Sequence, residues 1–168
     1  MSKPLPSTSR CPSGFVPKYR CIEPCDERFG LLACVSMIVG RPLAEVRQAA
    51  LGLLNGPGQT QRTEVSRFAI DLLAHFGSWT GGGYGVISPS RKLPALAIVV
   101  TAAIAGDTHG RRHCLFHRQR PAPGQPGVEY VVDPHPGLAG DQRTRFDVGA
   151  MDLTHFMDVY WMEISDDF

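Results

Sequence analysis

His113 and Asp133 flank a loop, RPAPGQP at 120–126, that separates two β-rich runs, HCLFHRQ and GVEYVVD. Two such runs around a Pro/Gly loop predict a hairpin. A histidine beside a carboxylate on neighbouring strands is the base–orienter half of a cysteine or serine triad. The carboxylate fixes the imidazole tautomer and stabilises the imidazolium. A turn symmetric about Pro123 sets His113 opposite Asp133, His117 opposite Glu129, Phe116 opposite Tyr130 and Gln119 opposite Gly127. The aromatic pair and the His–Glu pair are favourable cross-strand partners. A slip of one residue would change every one of these pairings. The competing reading of His113 and Asp133 is an ordinary ion pair at a hairpin end.

A triad also needs a nucleophile, and the chain has five cysteines, at 11, 21, 25, 34 and 114. An odd number, with no secretory signal in MSKPLPSTSR, favours free thiols over a disulfide framework. Cys25 stands just before a predicted helix, where unpaired backbone N–H groups and the helix dipole would lower a thiol pKa. Cys34 lies inside that apolar helix and reads as a buried, inert thiol. Cys114 points to the opposite face of its strand from His113. Cys21 and Cys25 have a C-x3-C spacing, which would suit a disulfide in an exported protein. Joined to His109 and His113 they make the boldest metal quartet, but no second local pair supports zinc. The preferred reading calls for no metal and no cofactor.

The elements that must position these groups are helical first and β-rich second. Residues 26–39 predict a helix apolar nearly all round, hence a central one, capped by Asp26 and ended by Gly40. PLAEVRQAALGLL predicts a second helix with Pro42 in its first turn. EVSRFAIDLLAHF predicts a third, capped by Thr63 and closed by Gly77. ALAIVVTAAI, the two hairpin runs and DVYWMEI predict strands. This order gives an α+β class, with the helices packed on an antiparallel sheet. Residues 1–20, rich in Pro, Ser and Lys, predict a flexible arm, and residues 21–168 a single domain.

The totals agree with that class. A chain of 168 residues with 43% hydrophobic and 20% charged residues suits one globular domain. A net charge of +1 argues against a nucleic-acid binder built on a basic field. The longest apolar run, LPALAIVVTAAIA, falls short of the ~20 residues a spanning helix needs, so no membrane insertion is expected. A cytoplasmic location follows by default, with export by another signal left open.

ACVSMIVGRPLAEV at 33–46, His113 in RHCLFH and Asp133-Pro134 in YVVDPHPG resemble, in order and spacing over roughly residues 22–137, a known family. It is that of the bacteriocin-processing (double-glycine) leader peptidases and their single-domain relatives, in the papain-like cysteine peptidase clan. The resemblance implies a central first helix on a twisted antiparallel sheet, opened by a nucleophilic cysteine. It also implies a glutamine about one turn upstream of that cysteine. Here the nucleophile position is Gly30, and Pro24 and Cys25 stand near the glutamine's place, while His113 and Asp133 keep to the pattern. The expected protein is therefore a degenerate, papain-like one that binds a peptide or protein segment in a groove at Gly30. The alternatives are an active peptidase or deamidase using Cys25 with His113 and Asp133, and a small Cys/His metal-binding protein.

Overall fold

A computed structural model describes residues 11–21, 30–56, 65–88, 92–102 and 112–161. Its elements are α1 (Gly30–Val39), α2 (Leu43–Leu54), α3 (Val65–His75), β1 (Ser78–Thr80), β2 (Gly85–Val86), β3 (Leu96–Thr101), β4 (Arg112–Gln119), β5 (Val128–Val132), β6 (Thr144–Arg145) and β7 (Leu153–Trp161). The chain is α+β, with three helices packed on an open antiparallel sheet of order β1-β7-β3-β4-β5-β6; β2 also pairs with β7.

α1 is central, as its all-round apolar character predicts. Every residue from Leu31 to Ile38 is buried, and the helix packs on β4, α2 and α3. Gly40 ends it with φ +64°, a left-handed conformation that glycine adopts without a Cβ clash. The Gly40 and Arg41 amides both donate to the Ser36 carbonyl, at 3.0 and 3.3 Å. Pro42 is the residue before α2 rather than within its first turn. Gly77, φ +81°, closes α3 as predicted. The helix caps expected of Asp26 and Thr63 lie outside the described residues.

The strands separate two apolar layers. On the helix-covered face Ile98, Leu115, Tyr130, Val132 and Met157 pack with the three helices. On the other face Ala97, Val99, Cys114, Phe116, Val131 and Phe156 pack beneath Ile87, Leu93, Val148 and Met151. The sequence anticipates β3 from its apolar run and β4 and β5 from their β-rich or alternating ones, but β7 begins five positions earlier than DVYWMEI suggests, and β1, β2 and β6 carry no sequence signal.

Over its described part the arm packs on the sheet. Phe15 packs on the core and Tyr19 is buried. The Lys18 amide donates to Gln119 Oε1 at 2.7 Å, and Gln119 Nε2 returns a bond to the Val16 carbonyl at 3.0 Å. The Tyr19 amide donates to the Tyr130 hydroxyl at 3.1 Å. That hydroxyl donates to Gln119 Oε1 at 3.3 Å and shares a hydrogen bond of 3.0 Å with His117 Nδ1. Three hydrogen bonds thus clamp the arm to β4 and β5, which composition alone could not foretell.

His117 makes this clamp sensitive to acid. Burial, with the Lys18 charge as the smaller cause, pushes its pKa down from 6.5 to about 4. The folded state therefore favours neutral imidazole. The stabilisation is complete above pH 6.5 and is lost as pH falls towards 4. The ring is partly exposed, so the loss should be only ~1–2 kcal/mol after allowance for solvent screening. Urea unfolding at pH 7, 5.5 and 4 should show this decline in the native chain and a flatter one in His117→Gln. Identical declines would assign the acid sensitivity to another group.

Candidate functional site

The first residue of α1 meets the start of β4. A Cβ built on Gly30 would lie 3.6 Å from the His113 carbonyl oxygen, 3.8 Å from its amide nitrogen and 3.9 Å from its Cβ. These are ordinary van der Waals separations, so a small side chain fits there. Gly30 thus lies against the backbone of His113. The His113 ring is half-buried and stands 5.7 Å from the ring of Tyr84, which precedes β2. Burial lowers the His113 pKa, so the neutral imidazole is favoured. Burial, followed by the proximity of Cys34, raises the Tyr84 phenol's pKa, and its hydroxyl finds no hydrogen-bond partner among the described residues.

Asp133 does not join His113, and the symmetric register requires correction. β4 and β5 pair Leu115 with Val132, Phe116 with Val131, His117 with Tyr130, Arg118 with Glu129 and Gln119 with Val128, a slip of one residue. The physical reason lies in the carboxylates. The symmetric register would turn Glu129 and Asp133 towards the face that the helices cover. The observed one sends Tyr130 and Val132 there, and gives each carboxylate an arginine on the other face. Arg118 Nε donates to Glu129 Oε1 at 2.8 Å, and Arg112 Nε donates to Asp133 Oδ2 at 2.7 Å. The second pair is deeply buried, with side chains 10% and 1% exposed. Asp133 Oδ1 also accepts the His135 amide at 3.0 Å, and the Cys114 thiol hydrogen-bonds the same carboxylate. Asp133 is a structural anion beneath the sheet, and His113 lies on the helix side.

The thiols divide in the same way. Cys34 and Cys114 are fully buried, and burial followed by the Asp133 charge raises the Cys114 pKa well above normal. Cys114 sits in the layer opposite His113, as the strand alternation predicts. Cys21 is half-exposed, but burial raises its pKa, opposed by Arg143 and reinforced by Asp133. No described thiol combines exposure, a favoured thiolate and the His113 ring. Cys25 lies outside the described residues, as does His109, so the metal quartet is only half described. Among the described residues no three His, Cys, Asp or Glu side chains are placed to hold a metal ion.

Two clefts flank this region, and the sequence reading anticipated neither. One, of about 310 Å³, runs along α1 and the start of α2 and is lined by Cys21, Ala33, Ser36, Met37, Pro42, Leu43, Ala44 and Pro134. The other, of about 660 Å³, lies between the arm and the segment around β6. Cys21 lines both. Ala33 and Ser36, three residues apart on one face of α1, could have flagged the first, since small residues on a helix face leave room. Among the described residues no helix is long and apolar enough to cross a membrane. Comparison with protein-family models, with curated proteins and with solved structures finds no match.

Proposed function

We propose that this chain is a catalytically silent relative of the papain-like peptidases that binds a peptide or protein segment beside α1. The observation that carries the reading is Gly30 at the start of a buried helix, against the backbone of His113. A glycine there supplies no nucleophile, while the neighbouring cleft of about 310 Å³ is walled mostly by apolar groups. A cleft of that size suits one or two apolar side chains of an extended segment. His113 stands in this reading against Gly30 at the start of β4, and no carboxylate among the described residues pairs with it as one would with a catalytic base.

Heptapeptides selected by phage display on the intact protein should be enriched in paired apolar residues. Ala44 is exposed at the cleft's rim, and Ala44→Phe should weaken a selected peptide by roughly tenfold or more, as a lost apolar pocket would. Selected peptides should remain intact during long incubation with the native chain. Their hydrolysis, abolished by His113→Ala, would replace the binding reading with the enzyme one. A selection with no enrichment over a scrambled pool would end the peptide reading itself.

A further inference from the structure

The larger cleft has a charge pattern of its own. Arg20 and Arg143 line it, together with Phe15, Val16, Pro17 and Phe146. The surrounding charges are already matched elsewhere. Asp133 is held by Arg112, Glu129 by Arg118 and Asp147 by Arg145. Arg20 and Arg143 have no carboxylate partner among the described residues. Arg143 is half-buried, and its Nε is shielded from water without a hydrogen bond to any described group. A shielded guanidinium nitrogen without a partner is costly, and a planar anion is the partner that best matches a guanidinium.

We propose that this cleft is a binding site for a carboxylate carried on an apolar body, such as a small aromatic acid or an apolar residue with a free carboxylate. The two arginines supply the charge, and Phe15, Val16, Pro17 and Phe146 supply the apolar walls. The volume of about 660 Å³ is that of a small-molecule site. The clamp described above fixes the arm, so one wall of the site exists only because Tyr19 and Gln119 hold the arm on the sheet. The inference does not depend on the peptide reading, because Cys21 is the sole lining residue shared by the two clefts.

The test titrates the full chain with N-acetylphenylalanine, its amide and inorganic phosphate, following backbone amide shifts by NMR. The acid should give saturable shifts centred on Phe15, Thr144 and Phe146, with about millimolar affinity for so small a probe. The amide should bind at least roughly tenfold more weakly, the effect of a lost charge-assisted hydrogen bond. Arg143→Gln should produce a loss of similar size. Should Arg143→Gln fail to fold, Arg20→Gln makes the same test, because Arg20 is an exposed arm residue. Equal binding of acid and amide, or a variant that binds as the native chain does, would overturn the proposal. So would absence of saturation with the acid, or tighter binding of phosphate alone, which would mark a site that recognises charge without an apolar body.

Discussion

Asp133→Ala should be the most damaging single substitution outside the apolar core. It takes from the Arg112 guanidinium the carboxylate held 2.7 Å away beneath the sheet, where the pair's side chains are 10% and 1% exposed. Removing one partner of a buried ion pair costs about 3–5 kcal/mol, because the remaining buried charge loses the group that offset its desolvation. For a domain of this size that is a fall of roughly 6–20 °C in Tm. Arg112→Met combined with Asp133→Ala should recover a large part of the loss, since an apolar pair leaves no orphaned charge. The His113 titration curve should stay in place in Asp133→Ala, because the carboxylate lies on the other face of the sheet. A displaced His113 titration, with little change in Tm, would restore the catalytic pairing that the register removes.

Gly30→Cys should create the chain's most reactive thiol. The new sulfur would stand at the first residue of α1, where the helix N-terminus favours a thiolate, and against His113. Its alkylation by iodoacetamide at pH 7 should outpace that of Cys34 and Cys114, which are fully shielded, by roughly tenfold or more. His113→Ala in the same background should remove much of the advantage. In the native chain, His113→Ala should leave the labelling of every cysteine unchanged, Cys25 included. A slow thiol at position 30 would break the correspondence between Gly30 and a nucleophile position. Fast, His113-dependent labelling of native Cys25 would support the alternative hydrolase.

The helices were legible because their information is local. The apolar faces of α1 and α3 repeat at helical spacing, and Gly40 and Gly77 mark ends that require a left-handed residue. β3 was legible as a continuous apolar run, and β4 and β5 as β-rich or alternating ones. β1, β2 and β6 are two or three residues long, too short for any periodicity, and two of them flank the glycines of SWTGGGYG. The register was not legible from the turn. The charges could have decided it: Arg118 and Glu129 meet only after the one-residue slip. Of the candidate site, the meeting of Gly30 and His113 was implied by resemblance, whereas the separation of His113 from Asp133 was a matter of register. Neither cleft was read as a whole, because each has walls from segments far apart in sequence, and in the larger one the arm's Pro-rich composition concealed its anchors.

The place of β7 between β1 and β3 sets the order in which the molecule can be completed. During synthesis, helices α1 to α3 and the hairpin of β4 and β5 emerge before Leu153 is made. Until then β3 has a neighbour on one side only, β4, and LAIVVT presents its other row of amides and carbonyls unpaired. An apolar strand without charge or proline is the kind of edge that recruits other chains. A nascent chain between Gln119 and Leu153 is therefore at its most adhesive. Its release from that state comes with the insertion of β7, which pairs with β1, β2 and β3.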